Sequence, residues 1–191
     1  MQLEKKLSSF LIILGYPASG KSIATEICKE LRIPCIEFSE VLTNFAINTG
    51  MIEITDLLTL GIELRNTHGK DAVAKLMKQH LDKNKINKAV LIGARTKEEI
   101  DYLKKFFTVK VIAIIVDKQI RHKRWIARNK TTDPKNELQA DEYDKKEEQL
   151  GIADTVAHAD AFIQNNEDLK AFKQKLKNII IDYFNIKTKK D

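Results

Sequence analysis

Cysteine and histidine are scarce in this chain, with two of the first and four of the second in 191 residues. Cys28 and Cys35 fall on a predicted helix and a predicted strand, so they offer neither a disulfide framework nor a metal quartet, and both read as reduced, buried side chains. His68, His80, His122 and His158 are far apart and show no ligand spacing. No apolar run approaches the roughly 20 residues that a bilayer span needs. The charged stretch Met1–Ser9 is not followed by a signal-peptide pattern, because Lys21 arrives too soon, and the cytoplasm is the expected location. Internal repeats and low-complexity linkers are also missing. Together these absences exclude a disulfide-stapled scaffold, a structural metal centre built on cysteine, a membrane span and a repeat array.

What is present is an ordinary soluble composition, 43% hydrophobic and 31% charged. The length suits one full α/β core and is too short for two comfortable domains. A net charge of +6 suits polyanionic partners, nucleotides among them. The surplus is scattered lysine, and Lys187-Thr188-Lys189-Lys190 reads as a solvated end, so nucleic acid is the weaker expectation.

The stretch that organises the rest is Gly15-Tyr16-Pro17-Ala18-Ser19-Gly20-Lys21-Ser22, which fits G-x-x-x-x-G-K-[ST]. Its glycines let the backbone curl into a nest of N–H donors. Lys21 is expected to reach the β/γ-phosphates of a nucleoside triphosphate, and Ser22 to offer its hydroxyl to Mg²⁺. The flanks agree: Phe10–Leu14 reads as a buried strand, and Ile23, Ile27 and Leu31 recur at helical spacing. Strand, glycine loop and helix N-terminus together set phosphate against the positive end of a helix dipole.

Further strands are expected at 33–36, 89–92, 109–116 and 160–163, with helical periodicity between them. Ser39 is a candidate N-cap, Thr55 or Asp56 opens another helix, and Thr96 followed by Glu98-Glu99 marks a third helix start. A basic helix from Gln119 to Asn129 ends at Thr131-Thr132-Asp133-Pro134, and a highly charged one from about Asn136 reaches Leu150. Strands alternating with helices predict a five-stranded parallel sheet covered on both faces. Ligands of such sheets bind at the carboxyl ends of the strands. That rule brings Gly15–Ser22, Glu37–Glu40, Gly93–Arg95, Asp117 and Asn165 to one edge.

Arg121, Arg124 and Arg128 lie at i, i+3 and i+7 and share a helix face. Beside a phosphate loop, three guanidiniums can neutralise a phosphoryl group in transfer; the alternative is a solvated basic helix. Trp125 within that helix reads as packing. Arg95, just after a strand end and Gly93, is a candidate to grip an acceptor phosphate, with pairing to Glu98 or Glu99 as the alternative.

The loop, Ile33–Ile36, Ile62–Arg65, Gly69–Lys75, Gly93-Ala94-Arg95, Asp133-Pro134-Lys135 and Leu150–Ile152 with Ala159-Asp160 recur in order along nearly the whole chain. In this the chain resembles an uncharacterised nucleotide-kinase-like P-loop family related to dephospho-CoA kinase and adenylate kinase. The resemblance implies a three-layer P-loop NTPase fold of nucleoside monophosphate kinase type, one domain over 1–191. It also implies acceptor-binding helices at about 38–84, a lid at about 119–150, ATP and Mg²⁺. By position, Arg124 and Arg128 match the two lid arginines, Arg95 matches the acceptor-phosphate arginine, and Asn165 falls on the loop that brushes the base. Two departures stand out: Ile92 occupies the place of a Mg²⁺-organising aspartate, and Thr43 and Asn44 stand where adenylate kinases have an arginine. Glu37 or Glu40 is the candidate replacement carboxylate. The expected function is ATP-dependent transfer of the γ-phosphate to a nucleotide or nucleotide-like acceptor. The alternative is an ATP-binding switch or slow ATPase acting on a macromolecular, RNA-associated partner. Oligomeric state stays open.

Overall fold

The computed structural model describes residues 8–51, 57–166 and 168–186. The helix start expected at Thr55 or Asp56, the charged residues before Ser8 and the basic tail lie outside these. Among the described residues, five strands form one all-parallel sheet in the order β2-β3-β1-β4-β5. They are β1 (Ser9–Leu14), β2 (Cys35–Glu37), β3 (Lys88–Ile92), β4 (Thr108–Ile115) and β5 (Ala161–Gln164).

β1 is central because it can be buried on both faces, and Phe10 to Leu14 are all fully buried. Its alternation divides the core into two layers. Phe10, Ile12 and Leu14 pack with Leu91 and Val111 under α2 (Phe38–Asn48), α3 (Leu57–His68), α4 (Ala72–Lys83) and α5 (Lys97–Lys104). Leu11 and Ile13 pack on the other face with Ile27 of α1 (Lys21–Leu31) and with Leu176 and Ile180 of α9 (Leu169–Phe184). The period of two along the strand thus decides which helices each residue meets.

The elements outside this sandwich are α6 (Lys118–Arg128), α7 (Glu137–Leu150) and α8 (Ile152–Ala157). α7 differs in kind from the core helices: its buried residues are Ala140, Asp144 and Glu147, while Leu138 is exposed. It docks by carboxylates rather than by an apolar stripe. Gly151 joins α7 to α8 at a φ of 101°, a left-handed conformation that ends one helix and starts the next without strain only for glycine. Among the described residues no helix is long and apolar enough to cross a membrane.

One expected cap is corrected. α2 begins at Phe38 with Glu37 in the cap position, so Ser39 lies inside the first turn. The extended backbone of β2 runs directly into the helix, and the Ser39 hydroxyl donates to the Glu37 carboxylate at 3.1 Å. Thr96 does cap α5, with a full capping box to Glu99.

Candidate functional site

At the carboxyl end of β1 the chain turns through Gly15–Gly20 into α1. Gly20 has a φ of +105°, and a Cβ there would stand 2.5 Å from the Asn165 amide nitrogen, so a side chain fits neither the conformation nor the space. Asn165 is buried, donates its side-chain amide to the Ser19 carbonyl at 2.8 Å, and so clamps the loop from the end of β5. The Lys21 ammonium donates to the carbonyls of Gly15 (2.6 Å) and Tyr16 (2.8 Å). Burial lowers its pKa from 10.5 to about 8; Glu147 and Glu37 oppose that fall, whereas Arg95 and Arg121 add to it. Ser22 is exposed in the first turn of α1.

β3 ends next to this loop, with Ile92 buried in the layer shared with α1. Ile92 is the register partner of Glu37 on the neighbouring strand. Three residues on, Arg95 is held from three elements. Its backbone N–H donates to Glu99 Oε2 of α5 at 2.8 Å, and its carbonyl accepts from Thr155 of α8 at 2.9 Å. Its guanidinium forms a bidentate pair with Glu147 of α7, Nε to Oε2 at 2.7 Å and Nη2 to Oε1 at 2.9 Å. Glu99 is itself fully buried, and its Oε1 accepts from both Nε (3.1 Å) and Nη2 of Arg65 on α3. Of the two partners expected for Arg95, Glu99 thus binds its backbone, and the side chain goes elsewhere.

The three α6 arginines have different surroundings. Arg121 is buried; it donates to the Pro17 carbonyl at 3.3 Å, pairs bidentately with Asp144, and lies over the Tyr16 ring at 4.9 Å. His122 meets the same Asp144 at 2.7 Å. Arg124 donates to the backbone carbonyl of Asn165 at 2.6 Å. Arg128 forks onto Asp133, Nε to Oδ2 at 2.9 Å, and that contact holds the Asp133 carboxyl down at about 2. Trp125 is buried, packs against Tyr143 and donates to Asp133, as packing rather than stacking requires.

Gly15, Pro17, Lys21, Arg95, Glu147 and Ile152 line one cleft of about 90 Å³. Tyr16 and Ala18 belong to its loop, Glu37 lies across the strand ends, and Glu40 is exposed on α2. Asp117 caps α6 and ties its backbone N–H to the Asn166 side chain at 2.8 Å. The arrangement gathers lysine and arginine side chains around a glycine loop at one end of a parallel sheet.

Comparison with known proteins fits this geometry. Residues 14–142 match the AAA domain family. A UPF0200 protein of Methanococcus vannielii is 31% identical over 171 residues, 88% of this chain and 92% of that one. A UPF0200 protein of Pyrococcus abyssi is 31% identical over 184 residues, 92% and 98% of the two chains. This chain belongs to the UPF0200 family. A UPF0200/UPF0201 protein of Archaeoglobus fulgidus is also 31% identical, and the present chain spans 57% of its length. Among solved structures, shikimate kinase from Bacteroides thetaiotaomicron superposes with a TM-score of 0.56 at 14% identity, covering 93% of this chain and 99% of that one. Dephospho-CoA kinase from Campylobacter jejuni gives 0.52 at 19% identity, covering 93% and 98%. At these identities the likeness is one of fold, and the fold of the UPF0200 chain is that of P-loop kinases.

The residue that sequence reasoning passed over is Glu147, with Asp144 one turn before it. α7 reads simply as a charged helix. The available signal was Ala140, Asp144 and Glu147 at i, i+4 and i+7, an inward face on which carboxylates stand where apolar residues ordinarily would.

Proposed function

We propose that this UPF0200 chain is an ATP-dependent phosphotransferase that moves the γ-phosphate to a nucleotide or nucleotide-like acceptor, of the nucleoside monophosphate or dephospho-CoA type, in the cytoplasm. The observation that carries the reading is the convergence of Lys21, Arg95 and Arg121 on the glycine loop at the carboxyl end of the sheet. In this reading residues 1–191 act as one domain, with α2–α4 as the acceptor side and α6–α7 as the lid.

Lys21 exchanges its loop carbonyls for phosphate oxygens of ATP, and Arg95 grips the acceptor's phosphate. The acceptor oxygen bonds to the γ-phosphorus as the bridging oxygen of ADP leaves, a hydroxyl acceptor giving up its proton to the Glu37 or Glu40 carboxylate, and the charge spread over the transferring group is met by Lys21, Arg95 and Arg121. Arg124 and Arg128 act from the lid on the phosphate charge. Mg²⁺ prefers oxygen donors, and the residues here fit it: the exposed Ser22 hydroxyl and the Glu37 carboxylate beside Ile92 are the candidate ligands, whereas Ile92 offers none. When bound, the ion would neutralise phosphate charge. Asn165 supports the loop and stands where an adenine would pass.

A Mg²⁺-ATP turnover assay over nucleoside monophosphates, dephospho-CoA and shikimate tests the proposal, with Lys21→Ala as the blank. Acceptor-dependent ADP formation lost in the blank is the expected result; phosphate release indifferent to every acceptor would count against transfer. Ile92 favours a second reading, an ATP-binding switch, for which a partner's capture must depend on ATP.

A further inference from the structure

Each cation named at the site has an internal oxygen acceptor. Lys21 has the loop carbonyls, Arg121 has Asp144 and Pro17, Arg124 has Asn165, and Arg128 has Asp133. For most of these the acceptor is a backbone carbonyl or lies off the cleft. Arg95 differs. Its partner is a carboxylate inside the cleft itself, on a helix that is not part of the sandwich.

The Glu147 side chain is 5% exposed, so its negative charge is well removed from solvent. A carboxylate presents two oxygens to the guanidinium fork, the same bidentate geometry that a phosphate uses. It also sits within Coulombic range of Lys21, where it is the strongest of the charges that favour the ammonium form. Anion, fork and nearby ammonium together make an occupied anion subsite, and the occupant is part of the chain.

We propose that Glu147 is the resident occupant of the Arg95 anion subsite, that a phosphate group enters this subsite only by displacing it, and that the exchange releases α7. This deepens the phosphotransferase reading and rests on it for the role of Arg95. Two features of α7 make the exchange workable. Its inward face is Ala140, Asp144 and Glu147, so undocking the Glu147 end exposes little apolar surface. Its C-terminus is the left-handed Gly151, a joint at which the helix can change direction while Thr155 of α8 keeps its bond to the Arg95 carbonyl. Glu147 thereby sets a charge requirement. A dianionic phosphate monoester outcompetes a single carboxylate on the fork, whereas a monoanionic or neutral acceptor does not.

The test titrates inorganic pyrophosphate into the full chain by calorimetry, comparing wild type with Glu147→Gln, each with and without Arg95→Ala, after thermal melting has established that each variant folds. Removing the competing charge should tighten pyrophosphate binding by about tenfold or more, and Arg95→Ala should erase that gain. Equal or weaker binding by folded Glu147→Gln overturns the proposal. A second arm uses wild type alone: backbone amides of α7 should exchange hydrogen faster when pyrophosphate is bound, and unchanged or slower exchange overturns it even where the variant fails to fold. The function reading is tested apart from this by Lys21→Ala against Mg²⁺-ATP. Lys21-independent ATP binding would remove the phosphotransferase reading, whereas Lys21-dependent binding with no gain in Glu147→Gln would remove only the Glu147 proposal.

Discussion

Lys21 donates to two loop carbonyls in a place where burial lowers its pKa from 10.5 to about 8. The unfolded chain therefore holds this proton up to a higher pH than the folded one. The cost of burying the cation is fully present below about pH 8, and stability rises as pH climbs from there toward 10.5. Binding has the opposite sign, because phosphate needs the ammonium. Affinity for pyrophosphate should be about halved by pH 8 and fall by about tenfold per unit well above that, measured by calorimetry, and a flat profile to pH 9.5 would contradict it. Asn165 gives a second prediction at this scale. Asn165→Ala removes the donor to the Ser19 carbonyl and should cost about 1 kcal/mol in thermal unfolding, with weaker ATP binding as the loop loosens.

The decisive element is the short connection from β3 through Arg95 into α5. Its capping box serves two purposes, since the Glu99 carboxylate that completes it also receives Arg65 from α3 and the backbone N–H of Arg95. A local helix start is thereby tied to α3 on the same face of the sheet. Thr96→Ala removes the cap and a bond to the Lys70 carbonyl and should cost about 1–2 kcal/mol. Glu99→Ala leaves the Arg65 guanidinium buried without its carboxylate and should cost about 3–5 kcal/mol. Urea denaturation would check the order of the two; a smaller loss for Glu99→Ala would mean that water or another carboxylate replaces it.

Over the whole molecule, two kinds of adhesion coexist. The sheet and the helices on its faces are joined by apolar layers, while α7 is held to α6 and to Arg95 largely by ion pairs. Regions with few buried apolar contacts open at lower free energy than the core. Native-state hydrogen exchange should therefore show α7 amides exchanging well before those of β1, β3 and β4, and equal protection would argue against a separately moving lid.

The sequence by itself determined the parallel strands, the glycine loop after the first of them and the edge at which the candidate residues gather. Those follow from local rules: β-branched apolar runs, the glycine spacing of a phosphate nest, and the ligand position of parallel sheets. It also placed Thr96 at a helix start, because a capping box is a contact over three residues. The cap at Ser39 was misplaced, since whether a strand runs straight into a helix depends on where the strand's partners stop. The partners of Arg95, Arg121 and Arg124 belonged to tertiary structure alone. Arg95 and Glu147 are 52 residues apart, and Asn165 reaches across 146 residues to the loop. No periodicity encodes such pairs, because a guanidinium accepts any carboxylate that folding brings within reach. Only the packing of α7 against the strand ends decided that this one would be Glu147.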